Sequence, residues 1–438
     1  MPPLSTGTAL IPLLPYLAVA ALAILFYALH LRRKERRTIE ALESAVAEGR
    51  AEPPSLHPVV QAHRCIGSGG CVHACPEGAL GIVAGKAVLI NGSACIGHGA
   101  CQVACPVEAI RLVFGTEKRG VDIPAVSPDF ESNVPGLFIA GELGGMGLIR
   151  KAAEQGRQAV ERIRRRKAAP ADLDLVIVGA GPAGISAGLA AMEHKLRYRL
   201  IEQEDSLGGA VYHYPRHKVA MTAPVKLALV GTVRMGEIQK EKLLAFWQAV
   251  VKKTSLQLHF RERMESVQAQ GDTFIVTTNV GRYHARSVLL AIGRRGTPRK
   301  LGVPGEELPK VVYRLVDAEQ YRGQAVLVVG GGDAALEAAV ALAEQPGTTV
   351  TLSYRSAAFS RVKPANQQRL QAQLSAGRID VQLTSTVERI EADSVTLRTE
   401  AGPRALANQA VIVCAGGELP TALLQRMGVQ FATKYGTE

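Results

Sequence analysis

The chain has 438 residues, 47% hydrophobic and 21% charged, and its 51 Lys and Arg against 39 Asp and Glu leave a net charge of +12. That length allows about three domains of roughly 150 residues each, and the composition excludes both a small disulfide scaffold and a disordered polymer. Aromatic residues make up only 5%, too few for base stacking, and the basic excess is clustered locally, so nucleic acid is excluded as a partner.

Residues 9–31 (ALIPLLPYLAVAALAILFYALHL) carry no Asp, Glu, Lys or Arg. Their length suits a hydrocarbon core about 30 Å thick, which predicts a transmembrane helix with Pro12 and Pro15 in its first turns, where proline is tolerated. Arg32, Arg33, Lys34, Arg36 and Arg37 follow at once. The positive-inside rule then puts the N-terminus outside and the rest in the cytoplasm, a single-pass anchor in the cytoplasmic (inner) membrane. A cleaved signal peptide would need its basic residues before the apolar run and a small-residue cleavage site after it. Within the linker 32–56, Glu35 to Arg50 places Ile39, Leu42 and Val46 on one helical face, a stalk that the Pro53-Pro54 pair is expected to end.

Six of the seven cysteines fall in residues 57–114, in two copies of one pattern. Cys65-Ile-Gly-Ser-Gly-Gly-Cys71-Val-His-Ala-Cys75-Pro76 and Cys95-Ile-Gly-His-Gly-Ala-Cys101-Gln-Val-Ala-Cys105-Pro106 share cysteine spacing, glycines and the final proline. A short hairpin is expected between them over Ile82 to Ile90. Clustered thiols of this kind are metal ligands that need a reducing compartment. Both copies resemble the dicluster ferredoxin motif Cys-x-x-Cys-x-x-Cys-x-x-x-Cys-Pro, in which the last cysteine serves the other cluster. In both copies the second cysteine is replaced, by Ser68 and by His98. The resemblance implies one site with Cys65, Cys71 and Cys105 beside Ser68, and another with Cys75, Cys95 and Cys101 beside His98. Three thiolates suit a 3Fe-4S cluster, whereas a 4Fe-4S cluster would take oxygen or imidazole at its fourth iron, and both remain open for the two iron–sulfur clusters. A zinc site, or a ferredoxin fold without clusters, is the plainer alternative.

From about Leu173 the pattern becomes strand, glycine turn and helix, which predicts two doubly wound α/β domains. Gly179-Ala-Gly181-Pro182-Ala183-Gly184 follows an apolar strand and opens a helix, the context in which such glycines let a pyrophosphate approach a helix N-terminus. Glu202 ends the next strand, where it can accept from a ribose. The second motif, Gly330-Gly331-Gly332-Asp333, also follows an apolar strand, and the strand after it ends Ser353-Tyr354-Arg355 without a carboxylate. Arg355, helped by Ser353 and Arg361, favours NADP over NAD, because a guanidinium pairs with a 2′-phosphate that a carboxylate would repel.

Residues 115–438 resemble the thioredoxin-reductase-like flavoproteins, in particular the bacillithiol disulfide reductase branch. The resemblance implies FAD on the first motif and a nicotinamide dinucleotide on the second. It also implies that Val288 to Gly293 is the strand leaving the FAD domain, and that Gly136-Leu-Phe-Ile-Ala-Gly141-Glu142 with Gly144 to Gly147 is the closing FAD motif. In that family the closing motif comes last, and here it comes first. The expected order is therefore permuted: a dicluster ferredoxin-like domain at 57–114, a closing segment at 115–168, an FAD domain at 172–297, a dinucleotide domain at 298–408 and a return segment at 409–438. Residues 115–438 contain no Cys-x-x-Cys pair, and Ala183 stands where the bacillithiol branch has a cysteine. Cys414 is expected to be a buried small residue. The expected protein is a membrane-anchored oxidoreductase that moves electrons between a nicotinamide dinucleotide, FAD, the clusters and a partner such as a ferredoxin, quinone or cytochrome. A homodimer is also compatible. The rival readings are a thiol-disulfide reductase with a structural ferredoxin part, and a non-catalytic redox sensor.

Overall fold

The computed structural model describes residues 14–436 apart from 54, 55, 146, 168, 217, 295–297 and 361. The start of the expected membrane span, with Pro12, and also Pro54 and Arg361, lie outside the described residues. The chain divides between Val113 and Phe114 into two compact units.

In the first unit, helix α1 (Leu14–Ala47) runs without a break through the basic cluster, so span and stalk are one helix. It is long and apolar enough to cross a membrane, and Leu22, Ile24 and Phe26 stand exposed along it. Its far half buries Ala45 and partly covers Glu35, Thr38, Ile39 and Leu42, so Ile39 and Leu42 lie on the packed face as expected, whereas Val46 is 60% exposed. The packed seam is 35, 38, 39, 42 and 45, a spacing of three and four that drifts away from position 46. The helix is ended by Gly49, in the left-handed region at φ +68°, before Pro53 is reached. Arg50 N–H bonds back to the Ala45 carbonyl at 2.7 Å, a glycine C-cap. Strands β1 (His57–Val60), β2 (Leu80–Val83), β3 (Lys86–Leu89) and β4 (Ile110–Val113) form two antiparallel pairs, β1 with β4 and the expected hairpin β2–β3. The stalk docks on that hairpin: Ala84 N–H donates to Glu35 Oε1 at 2.6 Å, and a Cβ on Gly81 would lie 2.4 Å from Thr38 Cγ2.

In the second unit, β5 (Val121–Pro124) pairs antiparallel with the C-terminal strand Phe431–Lys434. Strands β6 (Leu137–Ile139), β7 (Leu175–Val178) and β8 (Tyr198–Ile201) join Val288–Leu290 in a parallel sheet of order β6, 288–290, β7, β8. The early strand β6 thus takes the edge place beside Val288–Leu290. A second parallel sheet takes Ala410–Val413 beside Ala325–Val329, followed by Thr349–Ser353 and Ile379–Gln382. Strands buried on both faces read as continuous apolar runs, and LVIV, AVLVV and AVIV do so.

One buried ion pair ties the first sheet to its flanking hairpin. Glu262 is 2% exposed and accepts from Arg199 Nη2 at 2.8 Å and from the Thr278 hydroxyl at 3.1 Å. Burial pushes its carboxyl up, but hydrogen bonds from Arg199, Tyr283 and Thr278 and the guanidinium charge outweigh this and hold it below the usual carboxylate value. A folded-state pKa below the unfolded one stabilises above the ordinary carboxylate range, and that contribution is lost as pH falls through the folded-state value. Glu262→Gln is therefore expected to cost about 2–3 kcal/mol at neutral pH and to flatten the acid limb of stability. Urea unfolding at neutral and acidic pH checks both.

Candidate redox sites

The cysteines converge on two places. Helices α2 (Gly70–His73) and α3 (Ala100–Val103) are single turns carrying the buried Cys71 and Cys101. Each is preceded by left-handed glycines at matching positions, Gly67 and Gly69 in one copy, Gly97 and Gly99 in the other. A side chain at Gly67 or Gly97 would strike the carbonyl oxygens of Gly85 or Leu56, at 2.2 and 2.7 Å. One cavity is lined by Cys65, Cys71, Cys105 and Ser68. Backbone N–H groups point at its sulfurs, from Ala87 to Cys65 Sγ at 3.4 Å and from Ala109 to Cys105 Sγ at 3.2 Å. Burial pushes the Cys71 thiol up, and so do the neighbouring Cys65 and Cys105. The other group is Cys75, Cys95 and Cys101: burial raises Cys101 to about 11, with Cys95 and Cys75 adding to it. Converging buried thiols with backbone donors aimed at sulfur are a donor set of the kind that thiolate-ligated clusters use, so the residues fit iron–sulfur clusters. The two sets are the crossed ones that the repeat resemblance implies. Ser68 is exposed and His98 half-buried.

In the second unit the first glycine motif bends between β7 and helix α5 (Pro182–Glu193). Gly179, at φ +104°, lies under Ala291, and a Cβ there would sit 2.6 Å from the Ala291 carbonyl oxygen. Ala291 leads into Gly293, which is left-handed at φ +69°. A Cβ on Gly184 would meet the Gly179 carbonyl oxygen at 1.8 Å. Around Gly181, the N-cap of α5, the space is open, with the Gly209 Cα 3.8 Å from a hypothetical Cβ. Glu202 is 7% exposed, and its carboxylate accepts from Ala180 N–H at 2.7 Å and Glu204 N–H at 3.1 Å, which fixes its orientation at the end of β8. Burial pushes this carboxyl up.

The closing segment reaches the same place. Gly141 takes a backbone conformation reserved for glycine, φ +85° and ψ −151°, its N–H donates to Gln155 Oε1 at 2.8 Å, and a Cβ on it would stand 3.2 Å from Ala183 Cβ. Glu142 follows, half-buried, and helix α4 (Ile149–Ile163) packs on α5 so closely that a Cβ at Gly156 would strike the Ala183 carbonyl oxygen at 2.0 Å. The structure thus brings Gly141 and Glu142 together with Gly179 to Gly184 and Gly293, and the glycine cradle fits a pyrophosphate. Sequence reasoning missed two parts of this region. Gly208 and Gly209 both have positive φ; Gly209 faces Gly181 across the loop, and the Gly208 N–H donates to the Ala180 carbonyl at 2.9 Å; the Gly-Gly pair after β8 was the available signal. Arg261 and Arg263 join Gln203, Glu204 and Asn279 around a cavity of about 390 Å³ beyond β8, and nothing in their spacing announced it.

The second cradle is similar at its glycines. A Cβ on Gly330 would lie 2.4 Å from the Cys414 carbonyl oxygen, whereas Gly332, the N-cap of the helix Asp333–Ala343, faces open space. Two expected binders, Ser353 and Asp333, are engaged by other protein groups, and Cys414 differs in burial from its expectation. Ser353 is 1% exposed and its hydroxyl bonds the Ser385 hydroxyl at 2.8 Å. Asp333 Oδ1 is engaged by Lys363 N–H at 2.9 Å and Asn366 Nδ2 at 2.7 Å, which ties two helix starts together. Cys414 is half-buried rather than buried. Arg355 is exposed just past the strand end. Tyr354, beside it, stacks on Phe359 with centroids 5.4 Å apart and covers Gly331 so tightly that a Cβ there would fall 2.2 Å from its ring.

Residues 176–437 match the pyridine nucleotide-disulphide oxidoreductase family, and residues 57–106 match the 4Fe-4S dicluster domain. The chain belongs to the pyridine nucleotide-disulphide oxidoreductases. Bacilliredoxin reductase of Bacillus subtilis is 27% identical over 267 residues, which cover 60% of this chain and 82% of that protein. A ferredoxin–NADP reductase of Ignicoccus hospitalis is 34% identical over 189 residues, covering 42% of this chain and only 57% of that protein. The bacillithiol disulfide reductase structure from Staphylococcus aureus aligns with a TM-score of 0.52 and 26% identity over 59% of this chain and 83% of that one. The protein is an FAD-dependent NAD(P)H oxidoreductase with a 4Fe-4S dicluster domain. This pyridine nucleotide-disulphide oxidoreductase has a single cysteine, Cys414, after residue 113, so its flavoprotein unit lacks the thiol pair that disulfide exchange uses.

Proposed function

We propose that this oxidoreductase exchanges electrons between a nicotinamide dinucleotide and a ferredoxin-type or other one-electron partner, through FAD and two iron–sulfur clusters, while anchored by α1 to a membrane. The observation that carries the reading is the pairing of two three-thiol sites with a flavoprotein unit that has no thiol pair of its own. Bound flavin would supply hydride and one-electron chemistry, and the clusters one-electron chemistry alone. Gly179, Gly181, Pro182, Ala183 and Gly184 would cradle the flavin pyrophosphate, Glu202 would orient the ribose, and Gly141, Glu142 and Gly293 would close on the flavin. Cys65, Cys71 and Cys105 would hold one cluster, and Cys75, Cys95 and Cys101 the other. Gly330 and Gly332 would admit the nicotinamide dinucleotide, and the exposed Arg355 would favour NADPH.

The test is anaerobic NADPH oxidation by the detergent-solubilised full chain with a soluble ferredoxin, a cytochrome and a short-chain quinone as acceptors. Turnover with one of these that is lost in Cys65→Ala/Cys75→Ala supports the reading. NADPH-dependent disulfide reduction that survives cluster loss contradicts it. For dinucleotide choice, a charge-assisted phosphate contact is worth about 1.5–3 kcal/mol. Arg355→Glu is therefore expected to lower kcat/KM for NADPH by about ten- to a hundredfold, with NADH little changed, as read from initial rates with each dinucleotide.

A further inference from the structure

The two cluster sites differ at the position where each repeat lacks a cysteine, and the hydrogen bonding of His98 says how. The backbone N–H of Ala100 donates to His98 Nδ1 at 3.2 Å. A backbone N–H can only donate, so Nδ1 is the acceptor and carries no proton, and the proton of the neutral ring is on Nε2. Nε2 is shielded from solvent and has no hydrogen-bond partner among the described residues. An imidazole binds a metal through a nitrogen that has a free lone pair, and in this tautomer that nitrogen is already taken by Ala100. What Nε2 offers is an N–H, and with Nδ1 taken by Ala100 it is the ring atom left to meet the Cys75 side chain, a hydrogen-bonding neighbour of His98.

Resting on the reading that these cysteines hold clusters, we infer that His98 is not an iron ligand but donates its Nε2–H to the sulfur of Cys75, so that this site has three protein ligands, Cys75, Cys95 and Cys101. The orphaned N–H finds its acceptor when Cys75 is a metal-bound thiolate. A donor aimed at cluster sulfur stabilises the more negative, reduced state and so raises the potential. At the matching corner of the other site Ser68 is exposed and makes no hydrogen bond to a thiol among the described residues, so the donors there are backbone N–H groups, Ala87 to Cys65 and Ala109 to Cys105, with no side-chain donor added. The two clusters are thereby set at different potentials by one residue of the repeat. His98 is a positioning residue that acts through the sulfur.

The experiment uses the cluster-loaded full chain with 15N-histidine and pulsed magnetic resonance of the cluster in its paramagnetic state. The expected result is no strongly coupled nitrogen, together with an exchangeable proton coupling that disappears in D2O and in His98→Ala. His98→Ala should keep the iron count per chain while the midpoint potential of that cluster alone falls, and His98→Gln, which retains an N–H, should recover part of the shift. A strongly coupled 15N on the cluster overturns the inference, and the wild-type chain suffices to read it even if the variants do not fold. Absence of bound iron and sulfide on these cysteines would overturn the cluster reading along with it; a cluster with nitrogen on iron overturns only the role given to His98.

Discussion

Gly184→Val is expected to yield a protein without flavin. A Cβ at this position would lie 1.8 Å from the carbonyl oxygen of Gly179, far inside contact distance, and the clash is with backbone, which cannot rotate away as a side chain can. Gly179 itself cannot yield: its N–H is bonded to the Ile201 carbonyl at 2.8 Å, its φ of +104° suits glycine, and its own hypothetical Cβ is already blocked by Ala291. The only relief is for α5 to move off β7, which opens the cradle where the N-terminus of α5 would meet the pyrophosphate. The overpacking itself costs about 1–3 kcal/mol, and the loss of cradle geometry should lower flavin retention by more than tenfold. The ratio of flavin to protein absorbance after purification, with circular dichroism as the check on folding, reads the result. A yellow, fully loaded Gly184→Val protein would show that the flavin does not sit on this turn.

The second large effect concerns which cysteines belong together. Crossed ligation predicts that Cys75 serves the cluster of Cys95 and Cys101, although it lies in the first repeat. The double variant Cys65→Ala/Cys75→Ala should therefore destroy both clusters, because it takes one thiolate from each site. Cys75→Ala/Cys95→Ala should destroy only one, because both thiolates come from the same site. Ligation within each repeat predicts the reverse. Iron and acid-labile sulfide per chain distinguish the two patterns: near zero for the first variant and about half of wild type for the second supports the crossed sets.

Much of this was legible in the residues. The glycines shared by the two cysteine repeats were legible, and Gly67 and Gly97 share a left-handed conformation that glycine adopts without a Cβ penalty. The apolar run before the first glycine motif was legible as a strand, and Leu137–Ile139 pairs parallel with Val288–Leu290. Side-chain direction at the strand end was not legible. In a parallel sheet covered on both faces, Leu352 and Ser353 are both buried, so alternation gives no sign that Ser353 turns towards Ser385. Nor did the basic cluster break the N-terminal helix, since long cationic side chains on an exposed helix cost little. The seam that docks on the hairpin includes Glu35 and Thr38, polar residues that an apolar periodicity passes over. The role of His98 depended on one backbone hydrogen bond, which no spacing could reveal.

The claim that the flavin and the clusters belong to one electron route is tested most directly by anaerobic mixing of the full, cofactor-loaded chain. NADPH is added from one side, and NADP to the dithionite-reduced protein from the other, while flavin absorbance and cluster magnetic resonance are followed together. The account predicts that in at least one direction the cluster signals change with the flavin, on the timescale of turnover. Flavin that responds to dinucleotide in both directions, beside clusters that dithionite reduces but dinucleotide never touches, would contradict it.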